Sequence, residues 1–388
     1  MFIFERLVGV ATYASILILV CLSLAMTKMV KHQKRILFLY TVILSVLAFF
    51  YVPYETADLY RINGFIERYG KHSFQSFMAL YEEDSNMGLA SILYWLIGQT
   101  GIPQLLPMIV SFICYSCIFY IIYKTAKINE ISGKNSAITL FFYMSIGTYM
   151  FVISGIRSML GISLLAFCFY RESAEKKFSL FHIPLYLISA FIHTFSAVLL
   201  TIRLFIPLFD MKTTLLKKIT HSAFLGAIVV LALQYFGEYI EKITKKADEY
   251  LNGNMYSYVW DYIVGIIVCI VLLSIVFQFK RIETQSALKL NNMRSFLIFC
   301  FFIALYCCYE FSTFHRMVAY LLPIISLPML MTLLQKNDNE RKRVFNQSHR
   351  AILDVPFAYS VGMVFVSILL LFLSCTRGSL CSFKFFVL

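Results

Sequence analysis

Charge is what this sequence has least of. Asp, Glu, Lys and Arg make up 14% of its 388 residues, where a soluble chain of this size carries roughly a quarter. No polar block is long enough to form a soluble domain. The sequence also lacks a phosphate-binding G-x-x-x-x-G-K-[ST] loop, a dinucleotide fingerprint and Cys/His pairs at zinc spacing. No nucleotide-binding motif is read from it, and neither a metal nor a cofactor is expected. There is no low-complexity segment and no convincing internal repeat. No cleavable signal peptide is read, because residues 8–26 are long enough to remain as a first span.

What is present is apolar sequence in quantity. Hydrophobic residues make up 60% of the chain, and apolar runs of about 17–20 residues recur along its whole length, the length a helix needs to cross a bilayer. The expectation is an all-α, polytopic integral membrane protein. It forms one transmembrane domain over residues 1–388, with about 12 transmembrane helices (10–14). The net charge of +13 would suggest nucleic acid in a soluble protein. Here the Lys and Arg residues lie in short clusters between spans, which is a topology signal, and no nucleic-acid partner is implied. The ten cysteines are scattered, mostly within spans, as small apolar packing residues. Cys375 and Cys381 can pair only if the tail faces an oxidising side.

The clusters fix an orientation. The first loop, "KMVKHQKR" in residues 27–35, holds Lys28, Lys31, Lys34 and Arg35 and no acid, so it is cytoplasmic and the N-terminus is outside. The second span, residues 36–52, then opens outward into a net-acidic loop over residues 53–87. The next piece, "GLASILYWLIGQTGIPQ" (88–104), is awkward: its apolar run is short and ends at Gly101 and Pro103. If it crosses, Lys124, Lys127 and Lys134 fall outside. If it dips in and returns, the later clusters fall into register, so a re-entrant or interfacial segment is expected. The basic loops near residues 124–135, 210–218, 280–294 and 335–356, with "RESAEKK" between them, are then cytoplasmic. A second extracytoplasmic loop lies near 237–262. This register makes residues 178–209 two short spans turning near His193.

The same register collects polar residues on the outer face. "PYETADLYR" (53–61) puts Glu55, Asp58 and Arg61 at i, i+3 and i+6, along one side of a helix. Arg157 lies in "VISGIRSMLGIS", His193 in "SAFIHTFSAVLL", and Glu310, His315 and Arg316 in "YEFSTFHRMVAY". Ionisable residues at span ends flanked by apolar sequence are costly and usually face a cavity or a partner. Each has a plainer explanation. Asp58 and Arg61 can form a local ion pair. Arg157 can snorkel to the interface, and Ser154, Ser158 and Gly161 near it have the spacing of a close helix contact. His193 can be a satisfied buried histidine, and Arg316 can anchor a helix end. What favours a site is three arginines from distant junctions on the face that should carry fewest. Arg203, inside a short span, is expected to snorkel toward the basic cytoplasmic edge.

Several arginines at an outer membrane surface suit phosphate or pyrophosphate, whose oxygens a planar guanidinium grips with two prongs. Neighbouring carboxylates (Asp58, Glu55, Glu310) supply a general base for an attacking hydroxyl. Two other readings stay open. A flippase or other transporter of lipid-linked oligosaccharide would place its ionisable residues near the midplane and often show inverted repeats. A membrane acyltransferase modifying surface glycans would use His193 or His315 as base.

"YVPYETADLYR", "SGIRSMLGISLLAFCFY", "KKFSLFHIPLYLISAFIHTFSAVLL" and "FHRMVAYLLPI" resemble, in that order, the EpsG / Wzy-like family of bacterial polysaccharide polymerases. The resemblance covers roughly residues 47–208 well and the Arg316 region weakly. It departs where Ser158 and Met159 follow Arg157 in place of Gln, Thr194 takes a Lys position, and Ile62 a His position. The resemblance implies a multi-pass protein of the bacterial plasma (inner) membrane. It would join undecaprenyl-pyrophosphate-linked oligosaccharide units at the outer face, for capsule, O-antigen or exopolysaccharide. Its partners would be those lipid-linked units, the bilayer and other assembly proteins such as a flippase and a chain-length regulator. Arg61, Arg157 and Arg316 would hold pyrophosphate, with Glu55 and His315 beside them. Asp58 would be the first choice for base and Glu310 the second, and His193 would orient a sugar or phosphate or move a proton.

Overall fold

The computed structural model describes residues 2–55, 57–83, 88–206, 219–220, 222–223, 226, 259–282, 288–309, 311–347 and 355–376. Among these the secondary structure is helical with no strand, as a bilayer requires of a chain that must satisfy its own backbone. Among the described residues five helices are long and apolar enough to cross: Val8–Ala25, Val30–Phe49, Leu105–Ile128, Tyr262–Lys280 and Thr313–Lys336. A bent pair, Gly133–Ser145 with Thr148–Ser154, makes a sixth if it is one span. Shorter apolar helices fill the rest, and the protein is an all-α, polytopic membrane protein. Most of residues 207–258, which include one expected span and the second extracytoplasmic loop, and the Cys381 end of the tail lie outside the described residues.

The early chain runs α1 (Phe2–Ala25), α2 (Val30–Phe49), α3 (Asp58–Gly70), α4 (Phe74–Glu83), α5 (Leu89–Gly98) and α6 (Leu105–Ile128). "PYETADLYR" therefore does not prolong a span; it starts α3. The buried residues of α3 are Leu59, Ile62, Ile66 and Tyr69, one stripe at helical spacing. Arg61, Glu67 and Arg68 lie on the exposed side. Asp58 sits in the first turn, where a carboxylate complements the helix dipole. The segment expected to dip is α5. Its 10 residues span about 15 Å, half of the roughly 30 Å hydrocarbon core, and α6 follows directly as the true span.

Glycine lets α3 and α5 touch. A Cβ on Gly70 would lie 2.7 Å from the Gly98 carbonyl carbon, and one on Gly98 would lie 2.5 Å from the Ile66 oxygen. No other residue fits either position without moving backbone. Trp95 Nε1 (3.0 Å) and Gln99 Nε2 (3.2 Å) both donate to the His72 carbonyl. These bonds fix the register of α5 on the end of α3.

The chain continues through α7 (Gly133–Ser145), α8 (Thr148–Ser154) and α9 (Ile156–Ser173). α7 and α8 meet at a bend of 55°, which Gly147 makes possible with φ +86°. α10 (His182–Ile192) and α11 (Thr194–Phe205) then form the hairpin expected to turn at His193. With 11 and 12 residues, each arm is about 16–18 Å long. α12 (Val259–Ile282), α13 (Asn291–Tyr306), α14 (Phe311–His315), a π-helical turn (Arg316–Leu321), α15 (Leu322–Gln347) and α16 (Val355–Thr376) complete the fold. The Thr313–Lys336 span is 94% buried, so it is the central post around which the others pack. α15 continues as helix beyond the apolar stretch, through residues 335–347 expected as loop.

Hydrogen bonds tie the basic junctions together at one end. Gln33 Nε2 donates to Ile131 O (3.1 Å), and Gln335 Oε1 accepts from Ser132 N (2.9 Å) and Asn135 Nδ2 (3.1 Å). The junctions around Gln33, Ile131–Asn135 and Gln335 thus lie together. Lys289 lies beside Lys176, and that neighbouring amine lowers the Lys289 pKa.

Arg203 is not a snorkelling residue. It pairs with Glu172 of α9, and the Tyr186 hydroxyl donates to the other Glu172 oxygen at 3.0 Å. Both arms of the α10–α11 hairpin are therefore pinned to one carboxylate.

Candidate functional site

The opposite end carries Glu55, Asp58, Arg61, Arg157, His193, His315 and Arg316. Asp58 and Arg61 form an i,i+3 ion pair at 2.8 Å on the exposed side of α3, and Glu55 is exposed in the turn before it. The local pairing is real, but it is not the whole environment of Asp58. The Tyr94 hydroxyl of α5 lies in the field of Arg157, Asp58 and Arg61. The Tyr320 hydroxyl lies in the field of Arg316, Asp58 and Tyr54. Asp58 is thus the charge common to both tyrosines, with Arg61 and Arg157 acting on Tyr94 and Arg316 on Tyr320.

Arg157 is the second residue of α9, just past the break at Gly155, and is exposed. Among the described residues neither Arg157 nor Arg316 forms an ion pair. Two arginines without an ion pair at this end make a site suited to an anion. Gly155 is required locally. A Cβ there would lie 2.9 Å from the Phe151 carbonyl oxygen and 3.4 Å from the Tyr320 hydroxyl, so the missing side chain leaves the space Tyr320 occupies. Arg316 opens a π-helical turn, a distortion that recurs at functional positions. His315 is half-buried, edge-on to Phe151 at 4.9 Å between ring centroids. Phe151 also packs on Tyr320 at 4.6 Å.

His193 has a defined job in the fold. It is the N-cap of α11, with Nδ1 accepting from the Phe195 N–H at 3.1 Å. The network thus assigns the neutral tautomer with the proton on Nε2, which donates to Ser158 Oγ at 3.2 Å. Ser158 follows Arg157, so the hairpin tip is bolted to the arginine's own turn. Just below, a Cβ on Gly161 would meet Ser196 Oγ at 2.2 Å, and Ser189 Oγ donates to Gly161 O at 2.7 Å. The small residues there serve close packing, as their spacing suggested. Glu310 lies outside the described residues.

Two tyrosines were missed in the sequence. Tyr320 follows Arg316 by four residues, one helical turn, and that spacing was a usable signal. Tyr94 carried none, because it is one aromatic in an apolar run. Among the described residues no three of His, Cys, Asp and Glu gather closely enough to hold a metal ion.

The model of the EpsG family matches residues 72–348. The chain belongs to the EpsG family. The matched stretch holds Arg157, His193, His315 and Arg316, whereas Glu55, Asp58 and Arg61 precede it. Membership in the EpsG family supports a glycan-polymerase-like role in polysaccharide biosynthesis. No curated protein and no solved structure matches the chain.

Proposed function

We propose that the chain is a polysaccharide polymerase of the bacterial plasma membrane. It joins oligosaccharide units carried on undecaprenyl pyrophosphate, at the face opposite the basic loops. The Asp58–Arg61 pair, with Arg157 and Arg316 acting on the same two tyrosines as Asp58, is the observation that supports this reading most. Asp58 takes the proton of a sugar hydroxyl on the acceptor unit. The oxygen attacks the anomeric carbon of the growing chain, the bond from that carbon to pyrophosphate breaks, and the electron pair leaves with the polyprenyl pyrophosphate. The arginines grip that leaving group and stabilise the charge it gains. Glu310 is the alternative base. His193, with Nδ1 committed to its cap, orients Arg157 through Ser158, and Glu55 and His315 line the approach. The pyrophosphate ester drives the reaction, so nucleotide chemistry has no part in it.

Mass spectrometry of the surface glycan from cells lacking the protein tests this. The expected result is collapse of long polymer to single repeat units. Loss of acetyl groups at unchanged chain length would overturn it in favour of acyl transfer.

A further inference from the structure

The Tyr94 side chain is 4% exposed, and its hydroxyl has no hydrogen-bond partner among the described residues. A buried hydroxyl left unmade costs about 1–3 kcal/mol, so such a group calls for an explanation. Other orphaned tyrosine hydroxyls, such as those of Tyr40 and Tyr143, sit among apolar helices. Tyr94 differs in its surroundings, since its hydroxyl lies within electrostatic reach of Arg157, Asp58 and Arg61. Its position is also built. α5 is locked to α3 by the Gly70–Gly98 contact and by Trp95 and Gln99, and α3 carries Asp58 and Arg61. The helix too short to cross the membrane therefore holds one phenol at a set place beside the arginines.

We propose that Tyr94 is a substrate-binding residue whose hydroxyl donates a hydrogen bond to a diphosphate oxygen held by Arg61 and Arg157. This rests on the pyrophosphate reading of the site and deepens it. Asp58, already paired with Arg61, is the base, and a phenol between cations suits a phosphate oxygen, which only accepts. The bound diphosphate satisfies the orphaned hydroxyl and the unpaired Arg157 together, which makes α5 part of the binding site.

Tyr94→Phe removes the hydroxyl and keeps the ring. Purified wild type, Tyr94→Phe and Arg157→Ala are compared for binding of undecaprenyl pyrophosphate in detergent, with inorganic pyrophosphate as competitor, and for thermal unfolding. The expected result is at least tenfold weaker binding by Tyr94→Phe, with an unfolding midpoint equal to or above wild type because a buried orphan is gone. Competition by inorganic pyrophosphate assigns the contact to the diphosphate itself. Absence of competition places the affinity in the lipid and overturns the proposal. Unchanged binding by Tyr94→Phe alongside loss in Arg157→Ala also overturns it while the pyrophosphate reading stands. A lowered midpoint in Tyr94→Phe makes the hydroxyl structural and overturns it as well. If wild type itself does not bind, the pyrophosphate reading fails and the proposal with it.

Discussion

Arg203 and Glu172 meet across 31 residues of sequence. At the residue scale this pair shows how a charge inside an apolar helix is kept. Arg203 is buried enough to lose most of its water, with its side chain 14% exposed, so the pair is not a surface bridge. Removing one partner strands the other. Arg203→Ala should therefore lower stability by on the order of 3 kcal/mol, the lower end for a broken buried pair, because the Tyr186 hydroxyl still serves Glu172. A thermal unfolding series in detergent checks this, with Arg203→Ala/Glu172→Ala recovering part of the loss. The sequence suggested snorkelling because Arg203 falls inside a short span. Its true partner sits on α9, two helices earlier in the chain, which no spacing rule reaches.

At the scale of elements, the α3–α5 contact decides where the site's parts stand. Gly98→Ala places a methyl against the backbone of Gly70 and Ile66, which cannot rotate away. The two helices must separate, at a cost of about 1–3 kcal/mol, and Tyr94 moves from Asp58 and Arg61. The expectation is markedly shortened glycan from a protein still present in the membrane, read by gel analysis of polymer length at matched expression. Gly64→Ala, where a Cβ meets nothing within 4 Å, is the control. Much at this scale was legible in the sequence. A short apolar run ending in Gly101 and Pro103 pointed to a short helix rather than a full span, and a histidine between two short apolar runs marked a turn. The glycine contact was not legible, since an interhelical approach leaves no periodic trace when each helix supplies one glycine. Nor was the bend between α7 and α8, which depends on a single positive φ at Gly147.

For the whole molecule, the claim is that basic junctions and the arginine cluster occupy opposite ends. The charge register carried this from sequence alone, because Lys and Arg bias is a property of whole loops and survives errors in any one helix. It predicts that Gln75→Cys, on the exposed side of α4, reacts with an impermeant thiol reagent from outside, while Lys28→Cys and Lys289→Cys do not. Labelling at Lys28 from outside would invert the molecule and put the cluster in the cytoplasm. The central claim, that the converging arginines hold a leaving pyrophosphate, meets its most direct test in the glycan chain-length distribution of Arg157 variants at matched protein level. A guanidinium that grips two oxygens is replaced in charge but not in geometry by lysine. Arg157→Ala should abolish long polymer, a loss of about a hundred- to thousandfold in rate, and Arg157→Lys should restore only part of it. A normal chain-length distribution in Arg157→Ala, with the protein in the membrane at wild-type level, would contradict the account.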